Sequence, residues 1–258
     1  MAETTTPDVL RAEHIVKRYG PVTALRDITI HLQKGEILGL IGDNGAGKST
    51  LIKILTGFIP PTGGTIFING EEVTLRSVTH AHLLGIETVY QDLALVNQLS
   101  VYHNMFLNRE QIRGPFLNNR KMRQQAREQL DQIGVQIPSI ETEVGRLSGG
   151  QRQAIAIARA VSTRAKILLL DEPLAAMGAK EGALILGLLR KLQESGEISI
   201  IMIAHNYAQV LESCDRVNLL QHGAITLDKP VPETSLEELN ELVMREYRLG
   251  SAHNSASQ

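Results

Sequence analysis

The chain has 258 residues, with 26 Lys and Arg against 28 Asp and Glu, a formal net charge of −2. That length is enough for a sizeable core. The charge balance argues against a general nucleic-acid binder, and 3% aromatic residues with no tryptophan argue against stacking platforms for single strands. The single cysteine, Cys214, leaves no internal disulfide and fits a reducing compartment.

The opening stretch, "MAETTTPDVLRAE", has neither the basic nor the apolar region of a signal peptide. "LRAEHIVKRY" and "ALRDITIHLQ" then predict two strands around the turn dipeptide Gly20-Pro21. "EILGLIG" is a short continuous apolar run, as in a strand buried on both faces. A glycine-rich loop follows directly, and "KSTLIKILTG" predicts a helix stopped by Gly57. "PPTGGTIFING" reads as a turn and a short strand, with Asn69-Gly70 opening the next turn.

From about Leu99 to Arg146 the pattern becomes helical. Met122, Ala126, Leu130 and Ile133 recur at helical spacing, and Gly134 marks the stop. The stretch predicts a mainly helical lobe inserted between strands. Beyond it come a helix over 151–163, a buried strand in "KILLLDEP", a helix over 180–194 and a second buried strand in "ISIIMIAH". The last of these holds the most apolar run, "ISIIMIA", which is strand-length and far too short to span a membrane. "RVNLLQHGAITLD" predicts a hairpin turning near Gly223. "SLEELNELVMREY" predicts a helix with a capping box between Ser235 and Glu238. The end, "GSAHNSASQ", reads as a disordered tail.

Three motifs carry chemistry. "GDNGAGKST" satisfies G-x-x-x-x-G-K-[ST] through Gly42, Gly47, Lys48 and Ser49, between an apolar strand and a helix. Gly42, Gly45 and Gly47 let the backbone curl so that N–H groups point at phosphate oxygens. Lys48 supplies a compact cation for the β- and γ-phosphates, and the Ser49 hydroxyl can ligate Mg²⁺. "ILLLDEP" puts Asp171 and Glu172 at the mouth of a buried strand. One acid there can hold Mg²⁺ and the other can orient the attacking water. "LSGGQRQAIAIARAV" sets Ser148, Gly149 and Gly150 ahead of a helical run, a second place where N–H groups can meet an anion.

Taken in order, Tyr19, "GDNGAGKST", Gln91, "LSGGQ", "LLLDEP" and His205 resemble the ATP-binding subunit of an ABC (ATP-binding cassette) transporter, from about Val9 to Leu227. "LSGGQ" is that family's own signature. The resemblance implies an α/β fold: a P-loop NTPase core, an antiparallel β subdomain and an inserted helical lobe. It implies one ATP-binding domain over 8–248, with the lobe at about 97–150 and the tail at 249–258. It implies ATP and Mg²⁺ as cofactors and adds Asn44, Ala46 and Thr50 to the loop's nucleotide contacts. Tyr19 matches the aromatic residue that stacks on adenine, Gln91 the glutamine linking Mg²⁺ and water to the transport subunits, and His205 the γ-phosphate histidine. It also implies a head-to-tail pair, in which Ser148, Gly149 and Gly150 of one chain cover the ATP held by Lys48 of the other.

"GIETVYQDLALVNQLSVYHNMFLNRE" resembles the ATPases of bacterial monosaccharide importers of the ribose, xylose and fructose type. That resemblance implies a homodimer or a paired second cassette, integral-membrane permease subunits and, indirectly, a sugar-binding protein. It places the chain peripherally on the cytoplasmic face of the inner membrane, as the ATPase that energises import. One departure is visible: Gly178 stands where the family has an aspartate that ties the two ATP sites together, and Met177 where it has a leucine. The alternatives are a soluble ABC-type ATPase and a regulatory module that binds nucleotide without hydrolysis.

Overall fold

The computed structural model describes residues 7–175 and 177–255. Two long strands, β1 (Asp8–Tyr19) and β2 (Val22–Gln33), pair antiparallel around the expected turn. With β4 (Gly63–Ile68) and β5 (Glu71–Val73) they form an antiparallel sheet in the order β2-β1-β4-β5. A six-stranded central sheet lies against it. Its strands are β3 (Ile37–Ile41), β6 (Ile86–Val89), β9 (Ile167–Asp171), β10 (Ser199–Ile203), β11 (Arg216–Gln221) and β12 (Ala224–Pro230).

The central order is β12-β11-β3-β10-β9-β6, parallel except for the β11–β12 hairpin. All residues of β3 and β10 are buried, as apolar runs covered on both faces should be. One core joins this sheet to β1, β2 and α1 (Lys48–Leu55) through residues such as Leu25, Leu40 and Leu51. A second core joins its other face to the helices of the lobe.

Helix α1 ends as expected, with Gly57 at positive φ just past its last turn. The lobe contains α3 (Val101–Met105), α4 (Asn119–Ile133) and α5 (Gly149–Val161). Met122, Ala126 and Leu130 are buried on one face of α4, and Gly134 takes the left-handed C-cap. The lobe also has a small hairpin, β7 (Ile112–Arg113) with β8 (Phe116–Leu117), which the helical reading did not contain. Helix α2 (Val78–Leu83) precedes β6; α6 (Ala179–Glu194) and α7 (Tyr207–Ser213) lie on either side of β10 in sequence. Helix α8 (Leu236–Ser255) opens with the predicted serine cap, the Glu238 N–H donating to Ser235 Oγ at 3.2 Å. It runs to Ser255, past residue 249, where the sequence suggested a structureless tail. No proline interrupts that stretch, so the helical backbone continues; 256–258 lie outside the described residues.

Because β3, β9 and β10 run parallel as neighbours, their C-terminal ends meet at one edge of the sheet. The glycine-rich loop leaves from β3, Asp171 closes β9, and His205 lies two residues beyond β10. Open parallel sheets bind ligands at that edge. No helix among the described residues is long and apolar enough to cross a membrane.

Candidate functional site

The loop between β3 and α1 folds as it does because two of its glycines have no room for a side chain. A Cβ on Gly42 would stand 2.2 Å from the Leu220 carbonyl oxygen, at a φ of 153°. A Cβ on Gly47 would stand 2.7 Å from Leu25 Cδ2, at a φ of 115°. Both values fall where L side chains are disfavoured, so the loop needs glycine for backbone shape and for clearance. The Ala46 N–H donates to the Asp43 carbonyl at 3.1 Å, and the Ala46 carbonyl accepts from the Gly223 N–H at 2.9 Å. The loop is thereby pinned to the β11–β12 turn.

Lys48, only 7% exposed, curls back over this loop. Its ammonium donates to the carbonyls of Gly42 at 2.6 Å and Asp43 at 2.9 Å. Burial pushes its pKa below the ordinary lysine value, while the charges of Glu172, Asp43 and Asp171 pull the other way. Asp171 shows the complementary effect. Burial and then the neighbouring Glu172 raise its pKa, opposed by Lys48 and His205. The site therefore holds a desolvated cation near a desolvated carboxyl, Asp171.

Glu172 sits at a φ of 52°, an uncommon conformation for a residue with a side chain. Its N–H donates to the Ile203 carbonyl at 3.0 Å, which ties the residue after β9 to the end of β10. Its carboxylate Oε1 lies 2.5 Å from His205 Nε2. Asp171 and Glu172 thus leave the same strand end with different roles, one half-buried toward Lys48 and the other paired with the imidazole.

A cleft of about 210 Å³ collects Ala24, Asp43, Asn44, Gly45, Gly47, Lys48, Ser49, Thr50, Asp171, Glu172 and His205. Nine of these are sequence-predicted site residues. Asp43 and Ala24 are additions: Asp43 sits inside the motif, whereas Ala24 comes from β2 and no local sequence signal could have marked it. Gly42 and Ala46 are buried and shape the loop without lining the cleft.

The remaining predicted residues stand outside the cleft. Tyr19 is 48% exposed at the end of β1, with Lys17 Nζ 5.3 Å from its ring centroid, so its ring is not spent in the core. Gln91 is exposed just past β6; the Val89–Leu170 pairing sets it beside the level at which β9 delivers its acids. Ser148 caps α5, its hydroxyl accepting from the Gln151 N–H at 3.3 Å while Gln151 Oε1 accepts from the Ser148 N–H at 3.1 Å. Gly150 packs so closely on Glu181 of α6 that an added Cβ would meet the Glu181 Cβ at 3.0 Å. Gly178 caps α6 with no side-chain hydrogen bond and open space around it.

The ABC transporter family model matches residues 25–175, which takes in the loop, Gln91, the signature and both acids. This chain belongs to the ABC transporter family. The cassette is 44% identical over 246 residues to a xylose/arabinose import ATP-binding protein of Sulfolobus acidocaldarius, covering 95% of this chain and 97% of that one. It is 44% identical over 224 residues to a fructose import ATP-binding protein of Rhizobium meliloti, covering 83% and 85%. Among solved structures it resembles the dimeric post-hydrolysis state of the ATP-binding cassette MJ0796 bound to ADP and phosphate. That match has a TM-score of 0.70 at 25% identity and covers 86% of this chain and 98% of that one. The fold expected from the sequence is the fold of this ABC cassette, a family whose nucleotide-binding domain binds ATP.

Proposed function

We propose that this cassette hydrolyses ATP at sites shared between two copies and that the resulting opening and closing drives monosaccharide import through membrane permease subunits. The observation that carries the ATPase reading is the convergence of Lys48, Ser49, Asp171, Glu172 and His205 on one cleft at the C-terminal edge of the sheet. The sugar-import reading is supported by relatives that are import proteins for xylose/arabinose and for fructose over more than four-fifths of the chain.

Lys48 releases the carbonyls of Gly42 and Asp43 and turns its ammonium to the β- and γ-phosphates, while the curled loop offers its N–H groups. The Ser49 hydroxyl and Asp171 carboxylate are hard oxygen donors, the chemistry that Mg²⁺ prefers. They would hold that ion, which supplies charge neutralisation across the phosphates. Glu172 orients the attacking water in line with the γ-phosphate. His205, now 2.5 Å from that carboxylate, donates to the γ-phosphate as charge develops. Tyr19 offers its exposed ring to adenine, and Gln91, from the loop after β6, would contact the ion and the water. The α5 N-terminus of a second copy, Ser148 with Gly149 and Gly150, closes the site.

ATP favours the closed pair, and hydrolysis removes the phosphate that bridges it. The permease follows the pair between access states, and a sugar-binding protein delivers cargo on the far side. The cassette sits peripherally on the cytoplasmic face of the inner membrane. Glu172→Gln is expected to bind ATP and accumulate as an ATP-bound dimer in size-exclusion chromatography with light scattering; rapid turnover by that variant would overturn the assignment of Glu172.

A further inference from the structure

Arg159 lies in the last turn of α5, the helix whose first turn carries the signature. Its guanidinium spends two donors on main-chain carbonyls far away in sequence. Nη1 donates to Ala94 O and Nη2 to Leu93 O, each at 2.8 Å. Those carbonyls lie two and three residues past Gln91, in a loop that does not hold its shape by backbone pairing. Ala94 sits at a φ of 48°, and its N–H donates to the Asp92 side chain at 3.2 Å.

The environment of Arg159 makes this an uncommon use of a charge. Burial lowers its pKa, the nearby Arg109 lowers it further, and Glu87 opposes both. Arg109 itself donates to the Arg159 carbonyl at 3.3 Å and to Met105 O at 3.0 Å. Glu87 is engaged by Thr163 Oγ1 at 2.7 Å and His82 Nδ1 at 2.9 Å. A half-buried guanidinium set beside another and paired with carbonyls is costly unless the carbonyls must be held.

The fully buried Asn104 of α3 completes the anchorage. It accepts from the Val96 N–H at 2.8 Å and donates to the carbonyls of Val96, Leu99 and Ser100. The chain leaving Gln91 is therefore fastened to the lobe along its length, first by Arg159 and then by Asn104.

We infer that Arg159 is a positioning residue for the ATPase reaction. It locks the Gln91 loop to the signature helix, so that Gln91 and Ser148 approach their respective ATP sites as one body. The inference rests on the proposed roles of Gln91 and Ser148. Lysine replaces it poorly, because Arg159 meets the two carbonyls with separate nitrogens of a rigid planar fork, which a compact ammonium on a flexible stem does not reproduce.

The test is a double-mutant cycle on the full chain, measuring kcat and KM for ATP with thermal stability as a control. Gln91→Ala and Arg159→Lys are each expected to lower kcat about tenfold or more with KM within about twofold. The double variant should be no slower than Gln91→Ala alone, because Arg159 acts through the loop that Gln91 occupies. Additive losses would overturn the inference while leaving Gln91 in its role, since a merely structural arginine lowers the rate independently. An unchanged rate in Gln91→Ala would overturn the reading of Gln91, and this inference with it. Arg159→Met serves as a second variant that keeps the stem and removes both hydrogen bonds. If either variant folds, matching wild-type kcat in it also overturns the inference.

Discussion

The two proposed anion sites of this chain are built to different degrees of completion. The loop at Gly42–Thr50 meets a cation, two acids and a histidine inside one cleft, and its shape is enforced by the Leu220 carbonyl and Leu25. The α5 N-terminus has a serine cap and a glutamine closing its capping box, but its residues do not line that cleft. One site draws all the charged groups of its cleft from its own chain. The other presents helix N–H groups and a positive dipole end, and the acid packed against its glycines, Glu181 of α6, does not line the cleft. That asymmetry is what the proposed composite site requires: each copy brings a charged cradle and, apart from it, a lid of helix N–H groups.

The comparison can be broken most forcefully at the cradle. Lys48→Met is expected to lower ATP turnover by about 10³-fold, because it removes the only cation placed on the phosphates by this loop; a radiolabelled-phosphate release assay reads it. At the lid, Ser148→Arg is expected to leave ATP binding to the separate chain within about twofold and to lower turnover about a hundredfold. Fluorescent-nucleotide titration beside the rate assay separates the two. Loss of binding in that variant would mean that the lid serves its own chain.

A gentler probe uses the charges already strained in the cradle. Asp171 keeps its proton to a higher pH in the fold than in the unfolded chain. The folded state therefore binds more protons between the ordinary carboxylate range and the raised value, and stability falls as pH rises through that window. Asp171→Asn should raise the melting temperature of the nucleotide-free chain at neutral pH, lose that advantage at more acidic pH, and impair hydrolysis. Melting curves across pH read the first two effects.

The smallest change is at Gly178, where α6 starts with a bare cap and room for a side chain. Gly178→Asp should stabilise the fold by a few tenths of a kcal/mol through capping and the helix dipole. Thermal denaturation measures that gain, and a steeper ATP dependence of the rate would show restored linkage between the sites.

The cradle was legible because its chemistry is local: glycines, lysine and serine sit within nine residues, and the acids close an apolar strand. Buried strands β3, β9 and β10 were legible for the same reason. Helix α2 and strand β6 were not, since six and four residues carry too little periodicity to register. Strand β6 exists by pairing with β9, about eighty residues away in sequence. The left-handed Glu172 and its His205 contact depend on β9 and β10 lying side by side, which no run of residues announces. Tyr19 and Gln91 were marked by family order alone; in the structure both stay outside the cleft.

The central claim is that the cradle of one copy is completed by the lid of another. The most direct test is Mg²⁺-dependent ATP hydrolysis by the purified chain as a function of its concentration. Specific activity that rises with concentration, and stays flat near zero in Ser148→Arg, is the result the shared site predicts. Specific activity that is high and independent of concentration, in a chain shown by light scattering to be monomeric, would contradict it.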